Sequence, residues 1–273
     1  MNFIIGFGNL AVGMAYVTLG LLSAWEVASQ YRYRGVSRFG LGFSLMAASC
    51  GPHHLVHGMT VLQGGIVSAP MLAVTLTGIP AGAVFCWLRF ESMRKGRGDR
   101  TLAVNGSVMA GAVVLSLAGA SLLAGWAMAT QPEPGLFICT SRSIATLLDG
   151  SVSDLSPFLV FFSNLWASLA YAMVGWYLAD TQIRRYVANR SWSLSGLALS
   201  GVFPSCAAMH LILALTSSSE SATLPFDLLG IPASVYFLWV VKRLHANSAV
   251  DWNYQPLAGV AATPKRMSPW RKV

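Results

Sequence analysis

Charge is scarce in this sequence. Lys and Arg together number 18 and Asp and Glu only 10 among 273 residues, so 10% of the chain is charged. A soluble domain carries roughly a quarter. With 55% hydrophobic residues and a mean hydropathy of +0.58, long stretches carry no charge at all. That excludes water as the main solvent. Cysteine is sparse too: Cys50, Cys86 and Cys206 fall in apolar runs and only Cys139 lies in a loop expected outside the membrane, which excludes a disulfide framework. No basic stretch precedes the first apolar run, so that run reads as a retained helix, not a cleaved signal. The sequence offers no nucleophile–base–acid set and no phosphate loop, and the tail at about 244–273 is too short for a kinase or other catalytic domain.

Apolar runs are what the chain has instead. They cover about 4–29, 39–59, 66–90, 103–129, 157–180, 193–216 and 224–242. Each is long enough to cross a hydrocarbon core of roughly 30 Å at about 1.5 Å per residue. The expected fold is therefore all-α and integral to a membrane, with seven transmembrane helices. The basic residues give the direction. Arg32, Arg34 and Arg38 separate runs one and two; Arg89, Arg94, Lys95, Arg97 and Arg100 separate three and four; Arg184, Arg185 and Arg190 separate five and six. Lys242, Arg243, Lys265, Arg266, Arg271 and Lys272 follow run seven. With seven spans, all of these share one face, and only Arg142 falls on the other. The positive-inside rule makes the rich face cytoplasmic, with the N-terminus outside and the C-terminus inside a cell membrane. The net charge of +8 thus reads as topology signal and lipid-headgroup contact, not as nucleic-acid binding. The largest external segment, about 130–156, carries Pro132, Pro134, Cys139 and Arg142, and Ile144 to Leu148 reads as a short interfacial helix.

The chain also repeats itself. Asn9-Leu10 and Ala15-Tyr16 recur as Asn164-Leu165 and Ala170-Tyr171, an offset of 155 residues. Ser37, Cys50 and His54 recur as Ser193, Cys206 and His210, an offset of 156. Gly78-Ile79-Pro80-Ala81 with Trp87 recurs as Gly230-Ile231-Pro232-Ala233 with Trp239, an offset of 152. Three anchors in one order imply two parallel three-helix repeats, 1–100 and 157–243. A linker helix and external loop at 101–156 join them, and the tail at 244–273 follows. The odd number of spans between them relates the repeats by an axis along the membrane normal.

Cys and His four residues apart share one helix face, one turn apart. Thiolate selects Cu(I) or Zn(II), and imidazole suits both. Where water is scarce, one thiolate neutralises a monovalent ion, which favours Cu(I). Cys50, His54, Cys206 and His210 are the candidate ligands, with His53, His57 and Met209 in reserve. Pro52 frees a backbone carbonyl beside them. His54 lies sixteen residues from Arg38, about 24 Å along the axis, so the pairs belong to the outer half of the membrane. Asn9 and Asn164 start spans that descend from outside and fall at a comparable depth. With Tyr16 and Tyr171 they make the expected supporting shell. Glu26 and Asp180, near the cytoplasmic ends of their spans, are expected to pair with Arg32 or Arg184. Asp227 is expected simply to suit a helix N-terminus.

Asn9, Ala15-Tyr16, Glu26, Cys50-Gly51 and His54 together resemble the three-helix ethylene-binding domain of ethylene receptors. The likeness covers about 7–60 and, more weakly, 162–212. That family has an acidic residue and then Ala-Tyr in its first helix, and Cys-Gly-x-x-His in its second. The resemblance implies that Cys50 and His54, with Cys206 and His210, bind Cu(I), and that an alkene then binds the copper. The departures are Asn9 and Asn164 in place of Asp, Ala207 in place of glycine, third helices with little likeness, and no kinase domain. The expected function is a receptor-like Cu(I)-binding membrane protein that senses a small ligand or copper, with output through a cytoplasmic signalling or complex partner. The alternatives are a haem-binding electron-transfer subunit, a copper transporter or handling protein, and a structural subunit of a membrane complex.

Overall fold

The structure is a computed structural model and describes residues 1–65, 67–94, 99–130, 155–216 and 221–247. The expected interfacial helix at Ile144–Leu148, Cys139, Arg142 and the tail beyond 247 lie outside the described residues.

Seven helices carry the described chain: α1 (Asn2–Arg34), α2 (Arg38–Leu62), α3 (Ala69–Met93), α4 (Gly106–Thr130), α5 (Ser156–Asn189), α6 (Leu194–Thr216) and α7 (Leu224–Asn247). Six of them are long and apolar enough to cross a membrane. The exception is α2, whose 25 residues are ample in length. It carries His53, His54 and His57, which lower its hydropathy and are buried inside the bundle. Three helices outrun their apolar stretches by five residues or more: α1 continues to Arg34, α5 to Asn189 and α7 to Asn247, each through basic residues that are themselves good helix formers.

Serine starts α2 and stands just ahead of α6. Ser37 Oγ accepts from Gly40 N at 3.2 Å, and Ser193 Oγ accepts from Gly196 N at 3.1 Å, satisfying donors that a first turn leaves open. The loop after α3 reinforces the second of these starts. Asp99 accepts from Ser193 Oγ (2.7 Å) and Ser195 N (2.9 Å), while β1 (Thr101–Leu102) pairs antiparallel with β2 (Trp192–Ser193). At the end of α5, Asp180 pairs with Arg184 at 2.7 Å, as expected, and also meets His245 Nε2 at 3.2 Å. Glu26 instead accepts from Gln30 Nε2 at 3.3 Å.

The packing order follows the helix surfaces. α1 packs on α2 and α3, α5 packs on α6 and α7, and the two groups meet where α3 lies on α6 and α2 on α7. α1 and α2 approach closely through glycine: a Cβ on Gly13 would stand 2.9 Å from Gly51 O, and one on Gly51 would stand 3.0 Å from Val17 N. Close backbone approach through small residues is the usual way helices associate in lipid. α4 packs mainly on α3 and touches α5 at its start, where Gly106 N donates to Tyr186 Oη at 2.8 Å, and none of its described side chains is buried.

The interior is layered along the helices. One apolar cluster gathers Phe43, Phe85, Phe203, Phe237, Cys50 and Cys206, and a second gathers Ile5, Val61, Met71, Leu72 and Leu213. Between them in chain position on α1, α2 and α6 lie buried polar side chains: Asn9, His53, His54, His57 and His210, joined by Asn164 and Asp227.

Candidate metal centre

α2 presents Cys50, His53, His54 and His57 to this layer, α6 presents Cys206 and His210, and α7 contributes Asp227 from its first turn. All are buried. α2 and α6 run on unbroken through their prolines, with Pro52 two residues after Cys50 and Pro204 two residues before Cys206.

Each histidine of the two repeated motifs is keyed in the same way. His54 Nδ1 lies 2.8 Å from Asn9 Oδ1, and His210 Nδ1 lies 2.7 Å from Asn164 Oδ1. The asparagines are oriented in turn, because Asn9 Nδ2 donates to Ile5 O at 2.8 Å and Asn164 Nδ2 to Val160 O at 2.9 Å. With the amide nitrogens thus committed, Oδ1 is the acceptor and Nδ1 must carry the proton. Nε2 is then the lone-pair atom. It is buried and without a hydrogen-bond partner in both His54 and His210. A buried acceptor left open in this way is costly, and a ligating histidine held by its other nitrogen has just this form. Tyrosines flank both rings, with Tyr16 to His54 at 5.8 Å between centroids and Tyr171 to His210 at 5.6 Å.

The four expected ligands do not form one cluster. Cys50, His54 and Cys206 bring ligand atoms within 4.8 Å of one another, whereas His210 joins a second group with His53 and Asp227 on the same criterion. The physical reason is the neighbouring α7. Asp227 Oδ1 lies 2.6 Å from His53 Nδ1, and Asp227 Oδ2 accepts from Thr223 Oγ1 (2.8 Å) and Asn164 Nδ2 (3.4 Å), which gathers the imidazoles of α2 and α6 toward a carboxylate. His57 stands outside both groups, its Nε2 3.2 Å from Met71 Sδ. Met209 lines a mostly apolar cavity of ≈ 160 Å³ that Asn9, Tyr16, Thr75, His54 and Cys206 also line. Tyr16, expected as support for its own motif, crosses over: its hydroxyl lies 3.2 Å from Cys206 Sγ.

Asp227 is the residue that sequence reasoning missed. Its signal was weak but present, a lone carboxylate opening an apolar run that has no further charge until Lys242 closes it. The donor set at Cys50, His54 and Cys206 fits a soft ion: two sulfurs and one imidazole, all shielded from water. No family model, curated protein or solved structure matches the chain.

Proposed function

We propose that this chain is a membrane protein that binds Cu(I) through Cys50, His54 and Cys206 and receives a small, uncharged ligand in the adjoining cavity. The observation that carries the reading is the buried convergence of two thiols and one oriented imidazole within 4.8 Å. A Cu(I) ion held there would supply an electron-rich centre to which an alkene binds without being transformed. Cys50 and Cys206 bring the anionic sulfurs, and Asn9 holds His54 in the tautomer that ligates. The cavity wall is apolar apart from a few groups near the site. An apolar cavity of about 150 Å³ takes a molecule the size of benzene, so hydrophobic gases and short alkenes fit and hydrated ions do not.

The resemblance to ethylene receptors supports the same ligand class. The paired Asn–His contacts, and the packing of α1 on α2 and α3 beside that of α5 on α6 and α7, support a duplicated three-helix unit with α4 as linker. In that reading the N-terminus is outside, the clustered arginines face the cytoplasm, and a separate partner takes the output. A haem reading, through His54 with His210 or through His53 and His57 with partners, has less support, because three of these four histidines stand on one helix and axial ligation calls for histidines facing each other from two.

The test is metal content. Protein purified in detergent after reconstitution with Cu(I) should hold copper by mass spectrometry, and the Cys50→Ser/Cys206→Ser variant should hold none. Equal copper in both samples sinks the proposal. The loaded protein should then retain radiolabelled ethylene, and the variant should not.

A further inference from the structure

The copper reading leaves Asp227 unused. A carboxylate buried among apolar helices is expensive and functional by default, and this one is built into a site. His53 from α2, His210 from α6 and Asp227 from α7 bring ligand atoms within 4.8 Å of one another. His210 Nδ1 is committed to Asn164, and its Nε2 is buried without a hydrogen-bond partner. Asn164 also donates to Asp227, so one side chain positions two members of the group. Thr223 fixes the same carboxylate oxygen from the turn before α7.

We propose that His53, His210 and Asp227 form a second metal site, selective for a borderline divalent ion such as zinc. The donors are two imidazole nitrogens and a carboxylate oxygen, a harder set than the thiols beside it. Three protein ligands of this kind hold zinc with a fourth position open. Bond lengths of about 2.0–2.2 Å would set such ligand atoms about 3.3–3.6 Å apart, so the His53 Nδ1–Asp227 Oδ1 contact of 2.6 Å opens by about 1 Å as the ion takes the place of the proton between them. Charge favours joint occupancy. Two thiolates around a monovalent ion sum to −1, one carboxylate around a divalent ion sums to +1, and the pair is neutral in a medium that penalises net charge. The site does not depend on the copper reading, since no sulfur belongs to it.

The experiment uses the full chain carrying Cys50→Ser/Cys206→Ser, stripped of metal and titrated with Zn(II) and, separately, Co(II). The expected result is one zinc per chain and visible cobalt d–d bands with no sulfur-to-cobalt charge-transfer band. Adding Asp227→Asn or His210→Gln should weaken zinc binding at least tenfold. Absence of zinc from a helical, monodisperse sample overturns the proposal, as does unchanged zinc affinity in Asp227→Asn. If the double cysteine variant does not fold, the Asp227→Asn comparison is made in the otherwise unaltered chain and read by the cobalt d–d bands. Failure of the unaltered chain to bind copper, with zinc binding intact, would remove the copper reading alone.

Discussion

The Tyr16 hydroxyl on α1 lies 3.2 Å from the Cys206 sulfur on α6, 190 residues away. A hydroxyl that can donate to a thiolate stabilises the charged sulfur a metal needs. Tyr16→Phe should keep the fold and lower Cu(I) affinity by about 10–100-fold, the range for loss of an outer-shell partner. Competition with a Cu(I) chelator measures this. An unchanged affinity would remove Tyr16 from the centre.

Asn9 and Asn164 make matching contacts to histidines that fall in different ligand groups. Asn9→Ala should therefore weaken Cu(I) binding about 10–100-fold, and Asn164→Ala should affect it far less. Each removed hydrogen bond should itself cost only about 0.6–1.7 kcal/mol of stability. Thermal unfolding in detergent separates the two effects. Equal loss of copper affinity in both variants would place His210 back in the copper set.

Copper must displace protons from the thiols of Cys50 and Cys206, so binding should release protons and weaken as pH falls. The apparent affinity should drop about tenfold per pH unit for each proton released. Titrations at several pH values give the slope. A flat profile would mean that no thiolate is formed on binding.

Much of this architecture is legible in the residues. The seven helices follow from apolar runs, and the depth that Asn9 and Asn164 share with the histidines follows from helix direction and spacing. The two-group arrangement is not legible, because it depends on α7 placing Asp227 beside His53 across 174 residues of sequence. Nothing local to Cys206 announces Tyr16 either, since periodicity reports which face a residue occupies and not which distant helix covers that face. The helix ends at Arg34 and Asn189 escaped for a simpler reason: hydropathy marks where an apolar run stops, and α-helix continues beyond it.

Asp99 holds the start of α6 from the loop after α3. Asp99→Ala removes an acceptor from two donors there and should cost about 1 kcal/mol, the usual value for a lost N-terminal cap. A lowered unfolding temperature with metal binding retained is the expected outcome. Lost metal binding would mean that the loop shapes the centre as well.

Orientation is open to chemical labelling. In a Cys139→Ser background, Gln63→Cys should react with a membrane-impermeant maleimide on intact cells, and Ser191→Cys only after the membrane is opened. The reverse pattern would invert the proposed topology.

α2 packs along α1 and α7, and α6 along α5 and α3, so α2 and α6 are not laid against one another. They meet through Cys50 with Cys206 and His53 with His210. Anything that grips both sulfurs acts as a rivet across a joint with little other fastening. A guest that loosened or tightened that grip would change the spacing of two helices that begin at Arg38 and Leu194, carrying a sub-ångström event among buried side chains to the end of the bundle where both helices start.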